Sequence, residues 1–157
     1  MNMSRIGIVA LAWAASVVLL SAQKIHPALI RNHPAIGYAT RPLSDPITQL
    51  NARLQRGEVS LEKQGPSGYL TSVLAALKVP IDTQVLVFSK TSFQAPRINP
   101  HNPRAIFFND TVSVGWVRGG PVLEVVAQDP QQGSIFYTLS QSESGIPQFE
   151  RNDTCVM

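Results

Sequence analysis

The stretch from Thr111 to Gln141, TVSVGWVRGGPVLEVVAQDPQQGSIFYTLSQ, contains the pattern that decides the fold. Its apolar runs are rich in β-branched and aromatic residues, and the turn sequences GG and DPQQG separate them. Such runs predict strands joined by hairpins. Because Val112, Val114 and Trp116 alternate along the first run, we expect them on one face, with the ring of Trp116 largely buried.

Strands are also expected upstream of this stretch. The runs QVLVFSKTSF, residues 84–93, and AIFFND, residues 105–110, have strand composition and flank a proline-rich loop. After residue 141 the tail SESGIPQFERNDTCVM has turn residues and no clear period, so we expect it to leave the sheet as a loop. The sequence therefore predicts a small, mainly antiparallel sheet.

Two short helices are predicted before the sheet, one within residues 44–57 and one within residues 67–80. Each combines an apolar stripe at helical spacing with a candidate N-cap and a terminal glycine or proline. Together they predict an α+β fold: two short N-terminal helices followed by a mainly antiparallel sheet with hairpins, in a single domain over residues 44–150. The candidate caps are Ser44 or Asp45 and Ser67, and the stripes are Ile47, Leu50 and Leu54, then Leu70, Val73, Leu74 and Leu77.

The first 22 residues have the pattern of a secretory signal peptide. Arg5 gives a positive start, an uncharged apolar run follows from Ile6 to Ala22, and small residues close it. An uncleaved membrane anchor is the alternative, since the run is slightly short for a span of about 20 residues. Residues 23–43, with several prolines and no apolar period, predict an extended arm. We therefore expect a periplasmic or secreted protein that contacts a membrane only through an uncleaved N-terminal segment.

Composition excludes nucleic acid as an expected partner. The chain has a formal net charge of +3, and its basic residues are scattered instead of forming a stripe interleaved with aromatic residues. Mild basicity of this kind matches an ordinary globular domain.

Enzyme motifs are weak, so no catalytic residue is assigned and whether the chain is an enzyme stays open. Ser60 and Lys63 have the Ser-x-x-Lys spacing, and the run from Lys90 to Ser92 imitates a Lys-Thr-Gly element, but short matches of this kind arise by chance.

Three histidines and two sequons are further candidates for chemistry. The histidines lack the paired spacing of a metal site, and the sequons bear on the protein only in a eukaryotic secretory route. We expect His101, which lies in a basic loop, to be a solvated residue, with anion binding as the alternative. The residues concerned are His26, His33 and His101, and the sequon asparagines Asn109 and Asn152.

Cys155 carries the most specific chemical signal. It is the single cysteine of the chain, so it cannot form an internal disulfide in an oxidising compartment. Three interpretations remain: a free thiol, a disulfide to another chain, or the first cysteine of a Cys-x-x-Cys-His haem motif with Val156 and Met157 as its two spacers. Spacing alone does not decide among them.

Four segments resemble the amino-terminal part of a family of secreted bacterial cytochrome c-like proteins of planctomycete and acidobacterial type. The phrase FNDTVSVGWVRGG is the distinctive one, and the similarity covers nearly all of the chain after residue 22. The segments are HPAIGYATRPLSDPITQLNARLQRGEVSLE, GYLTSVLAALKVPIDTQVLVFSKTSFQ, NPRAIFFNDTVSVGWVRGGPVLEVVAQDPQQGSIFYTL and CVM.

The resemblance implies a haem protein. In that family the chain continues past the counterpart of Cys155 into Cys-His, so residues 151–157 are interpreted as the start of a truncated haem-attachment segment. It implies haem c as cofactor if the chain continues in this way, Cys155 as a cofactor-binding residue, electron transfer as function and a redox protein as partner. It identifies no metal ligand. The alternative is a non-catalytic exported binding or interaction domain with an incidental cysteine.

Overall fold

The structure, a computed structural model, describes residues 34–142 and 145–156. The predicted signal peptide and the arm as far as residue 33 lie outside the described residues. The chain divides into two compact units, Met1–Tyr38 and Ala39–Met157. In the described part of the first unit, residues 34–36 form a turn and Gly37 has a φ of 61°.

The described part of the second unit contains two α-helices and a six-stranded sheet, and the sheet dominates. Every strand pairs antiparallel with the next along the chain, so the sheet is a simple meander. This confirms the α+β class in its coarse form, although the helices begin well after the N-terminus of the chain. The helices are α1, Pro46–Gln55, and α2, Leu70–Leu77; the strands are β1, Val85–Val87, β2, Arg104–Phe108, β3, Val112–Val117, β4, Val122–Asp129, β5, Gly133–Ser140, and β6, Phe149–Arg151.

Helix α1 forms where its apolar stripe predicts it. Asp45, and not Ser44, is the N-cap: its Oδ1 accepts hydrogen bonds from the backbone N–H groups of Ile47 (2.8 Å) and Thr48 (3.1 Å). Ile47, Leu50 and Leu54 are all buried, which confirms the predicted stripe. The helix stops just before Gly57, whose φ of 69° suits glycine.

Helix α2 begins later than predicted. Ser67 does not cap it, because residues 65–67 form a separate 3-10 turn and Tyr69 occupies the cap position without a side-chain bond. The stripe is buried at Leu70, Val73 and Leu74, as predicted. The helix ends at Lys78, which adopts a left-handed conformation (φ 54°) two residues before Pro80.

The helix-facing side of the sheet forms the core. Alternate residues of the strands are buried on this side, and the hydroxyl of Tyr137 on β5 donates to the Asp45 carboxylate at the start of α1. The predicted strands and the hairpin at DPQQG are therefore confirmed for β2 to β5. The core residues of the strands are Ala105, Phe107, Val112, Val114, Leu123, Val125, Ala127, Ile135, Leu139 and Phe149.

The two edges of the sheet differ from the prediction. The run 84–93 forms only the three-residue strand β1, because the chain then folds back across the sheet at Lys90–Phe93. The prediction that the tail leaves the sheet was wrong: Phe149–Arg151 pairs with β5 as β6. Asn51 of α1 explains this, since its amide donates to Phe149 O (2.8 Å) and accepts from Phe149 N (2.9 Å), as a neighbouring strand would.

Trp116 has intermediate exposure, so its side chain is largely buried, as predicted, but not completely. It lies opposite Ala105 of β2, but the pairing of β3 with β4 stops one residue earlier, at Gly115 and Glu124. With a neighbouring strand on one side only, the indole is less enclosed than the side chains of Val112 and Val114.

Across residues 34–142 and 145–156, no helix has both the length and the apolar character needed to cross a bilayer.

Candidate functional site

The sheet face opposite the helices carries a cavity of about 660 Å³. We call this side the open face. Its floor comes from two rows of residues that the strand register places side by side across β2 to β5. One row is Ile106, Gly115 and Glu124, and the other is Ser113, Val126 and Phe136.

The walls of the cavity come from both ends of the meander. On one side stands the segment Thr91–Phe93, which follows the edge strand β1; on the other stands Thr154, which follows the edge strand β6. Phe93 is 40% exposed, so its ring is available at the cavity rim. Gly115 leaves room at the centre of the floor, because it has no side chain. The site is thus a largely apolar trough with its charged groups at one end and with Ser113 and Thr154 as further polar residues of its lining.

An ion pair forms the polar end of the trough. Nη1 of Arg104 lies 3.0 Å from Oε2 of Glu124, and the two side chains are only 13% and 14% exposed. Oε1 of Glu124 also accepts from Ser92 Oγ (2.6 Å) and Gln94 Nε2 (3.1 Å). The Glu124 carboxylate therefore has three donors, which offset the cost of its partial burial.

The same pair holds the wall in place. Arg104 Nη1 donates to the carbonyl oxygen of Thr91 (3.1 Å), and Lys90 Nζ donates to the carbonyl oxygens of Ala95 (3.1 Å) and Ile98 (2.6 Å). Lys90 and Ser92 of the Lys-Thr-Gly imitation are thus both engaged in folding the loop. Lys90 Nζ bonds backbone carbonyl oxygens and Ser92 Oγ bonds Glu124, so these contacts do not pair the lysine with the serine as base and nucleophile.

Two buried acidic groups, Asp129 and Tyr137, serve the fold. Burial raises the pKa of Asp129, but hydrogen bonds from the backbone N–H groups of Ser44, Gln131 and Gln132 outweigh it, so the pKa is lowered overall. Burial, and then the hydrogen bond to Asp45, raises the pKa of Tyr137. Asp129 therefore stays ionised and Tyr137 neutral near neutral pH, each in a structural role.

The residues singled out from the sequence are not brought together. Cys155 lies in a 3-10 helix, Asp153–Val156, directly after Thr154 of the cavity wall. His101 is exposed in a small loop, where its backbone N–H donates to Asn99 Oδ1 (2.9 Å). Ser60 is exposed after α1, and Lys63 lies 5.1 Å above the Tyr69 ring. His26 and His33 lie outside the described residues.

Haem c does not fit the residues of this chain on their own. Covalent attachment through two thioethers needs two thiols and an iron ligand beside them. The sequence contains one cysteine, and the described residues contain no group of three or more His, Cys, Asp or Glu side chains able to hold a metal ion. Cys155 can therefore supply at most one bond to such a group.

Sequence reasoning missed the residues that form the trough, although a signal for them was present. Antiparallel strands with one solvated face alternate apolar and polar residues. Strands β2, β4 and β5 instead carry apolar residues on both faces, with Ile106, Val126 and Phe136 opposite the core. That excess of apolar residues indicates a second apolar surface. Arg104 and Glu124 are close because of the strand register, and the sequence around either residue does not indicate this.

Comparisons with protein-family models, with curated proteins and with solved structures find no match for this chain.

Proposed function

We propose that this domain is a non-catalytic binding domain that takes a small, largely apolar molecule into the cavity of the open face. The observation that carries the proposal is the cavity itself: it measures about 660 Å³ and combines the apolar side chains of Ile106, Val126 and Phe136 with a few polar groups. Pockets for small molecules typically measure about 300 to 1,000 Å³ and combine apolar walls with a few orienting polar groups.

Two further features support ligand binding over a purely structural face. Ile106, Val126 and Phe136 line the cavity and are only partly buried, so a ligand placed on them would remove apolar surface from water. The wall at Thr91–Phe93 is tied to the floor through Ser92 and Arg104, so the cavity exists before any ligand arrives. Preorganisation of this kind reduces the entropy lost on binding.

The test is a fluorescence titration with N-phenyl-1-naphthylamine, a neutral apolar probe. We expect the purified protein to bind it saturably and Val126→Trp to weaken binding about tenfold or more, equivalent to about 1.4 kcal/mol. The larger side chain occupies the middle of the floor, and it points away from the core.

Ile81→Trp is the matched control. It adds the same side chain at a position that is 66% exposed and does not line the cavity, so binding should be unchanged. Absence of saturable binding, or equal loss of binding in both variants, contradicts the proposal.

A second candidate is that the domain is the N-terminal part of a c-type cytochrome-like protein involved in electron transfer. The observation that favours it is the position of Cys155, one residue after the cavity wall at Thr154 and four residues after β6 ends at Arg151. Asn152 N donates to Phe136 O (2.8 Å), which fixes the entry to this turn. A group attached beyond Cys155 would start at the edge of the cavity.

This second candidate predicts covalent haem on a longer chain. If the protein is extended through the residues encoded after Met157 and exported with a cytochrome c maturation system, we expect covalently bound haem when those residues begin with Cys-His. Cys155→Ser should sharply lower the yield of haem-containing protein, whereas the control Val156→Ala should not. A stop codon or any residues other than Cys-His after Met157 would end this interpretation.

A further inference from the structure

We infer that the ligand of this cavity is a neutral molecule whose largely apolar body carries a carbonyl oxygen, and that Arg104 binds this oxygen. The inference rests on the proposed binding function and specifies its chemistry. Arg104 makes hydrogen bonds on one side of its guanidinium, leaves N–H groups without an acceptor on the other, and shares the cavity with one negative charge.

Only one nitrogen of the Arg104 guanidinium has partners within the described part of the chain. Nη1 donates to Thr91 O and to Glu124 Oε2, whereas Nε is buried without a hydrogen-bond partner. No described residue accepts from Nη2 either. The N–H groups of Nε and Nη2 point in parallel along one edge of a guanidinium, which is the edge that accommodates acceptor oxygens.

A buried donor without an acceptor costs free energy, which an acceptor supplied by a ligand would recover. Arg104 lines the cavity beside the apolar floor formed by Ile106 and Gly115. A ligand resting on that floor can therefore bring an oxygen towards the arginine while its apolar part lies against Val126 and Phe136. The site thus selects for an acceptor at one end of an apolar molecule.

Charge balance favours a neutral acceptor over an anion. Among the described residues that line the cavity, Arg104 and Glu124 are the charged ones, and they already form an ion pair. A ligand carboxylate or sulfonate would place a second negative charge next to the Glu124 carboxylate. Like charges in a partly buried site repel strongly. A ketone, ester or amide oxygen accepts the same hydrogen bonds without that repulsion.

Three fluorescent naphthalene probes separate these possibilities. Prodan is neutral and carries a ketone, N-phenyl-1-naphthylamine is neutral and lacks an acceptor oxygen, and 8-anilinonaphthalene-1-sulfonate is an anion. We expect Prodan to bind about tenfold more tightly than N-phenyl-1-naphthylamine, because one hydrogen bond to a charged group changes the dissociation constant by about that factor. We expect the sulfonate to bind most weakly.

Arg104→Lys tests the role of the guanidinium edge. Lysine keeps a positive charge for Glu124 but lacks the paired N–H groups, so Prodan should lose about tenfold in affinity while N-phenyl-1-naphthylamine changes less than about threefold. Arg118→Lys is the matched control: it makes the same substitution at an exposed arginine that does not line the cavity, so the preference for Prodan should remain.

A direct readout does not depend on any variant. In ¹⁵N-edited NMR of the wild-type protein, the Nε–H resonance of Arg104 should shift on addition of Prodan and stay in place with N-phenyl-1-naphthylamine. Equal affinities for the two neutral probes, or tightest binding of the sulfonate, would overturn the carbonyl inference and leave the binding function intact. If neither neutral probe binds, the binding function itself fails.

Discussion

Asp45→Ala is expected to lower the free energy of unfolding by about 2 to 4 kcal/mol, combining about 1 kcal/mol for a lost N-cap with the cost of leaving buried donors unpaired. The carboxylate is fully buried. Its Oδ1 caps α1, and its Oδ2 accepts from the hydroxyls of Thr48 (3.0 Å) and Tyr137 (2.6 Å). It therefore joins α1 to strand β5 of the sheet. Chemical denaturation followed by circular dichroism measures the change.

Two variants separate the parts of this effect. Asp45→Asn keeps an oxygen for the cap, so it should cost less than the alanine variant. Tyr137→Phe keeps the backbone cap and removes the bonds of the Tyr137 hydroxyl to Asp45 and to Thr48, with an expected cost of about 1 to 2 kcal/mol. A cost below about 0.5 kcal/mol for Asp45→Ala would show that the helix needs neither the cap nor the contact to the sheet.

Local sequence patterns correctly predict a helix or strand when the residues within that element determine its structure. The stripe of Ile47, Leu50 and Leu54 predicts α1, because helical periodicity and burial depend on the same spacing. The alternation of Val112 and Val114 predicts the buried face of β3 in the same way. In both cases the signal lies within a few residues of the element it describes.

Prediction failed where a distant side chain decides the outcome. The tail becomes a strand because the amide of Asn51, 98 residues away, pairs with the backbone of Phe149. Asn109 works similarly: its Nδ2 donates to the carbonyl oxygens of Leu77 (3.2 Å) and Lys78 (3.3 Å), while its Oδ1 accepts from Val112 N (2.9 Å). The sequence presents this residue only as a sequon asparagine. No periodicity could indicate such long-range bonds.

The candidate site was missed for the same reason. Arg104 and Glu124 are 20 residues apart and become partners because β2 and β4 flank β3 in register. Cys155 is a chemical signal, because a single cysteine is unusual in a chain whose sequence predicts export, but this signal says nothing about which residues lie near it. The residues of the trough, by contrast, have no distinctive sequence motif, and they form a site only because the strand register brings them together.

Gly120→Ala is expected to lower the free energy of unfolding by about 2 to 3 kcal/mol and to weaken probe binding in the trough, because overpacking of this kind typically costs about 1 to 3 kcal/mol. A Cβ atom at this position would clash with Oε1 of Gln94 and would lie 2.9 Å from the carbonyl oxygen of Val117. Gln94 is buried and donates to Glu124, so the substitution pushes it away from the polar end of the trough. The neighbouring wall should loosen with it.

Gly119→Ala is the matched control in the same turn. Its Cβ would meet nothing within 4 Å, but its φ of +68° is left-handed, so we expect a strain cost of about 1 kcal/mol and unchanged binding. In a Gln94→Ala background, Gly120→Ala should cost less than in the wild type, because the nearest obstacle is gone and only Val117 O remains. Equal costs in the two backgrounds, measured by urea denaturation, would show that Gln94 does not transmit the change. Probe titrations on the wild type, Gly120→Ala, Gln94→Ala and the double variant then test whether the turn between β3 and β4 supports the wall of the trough. If Gly120→Ala acts by displacing Gln94, it should weaken probe binding in the wild type and have a smaller effect in the Gln94→Ala background.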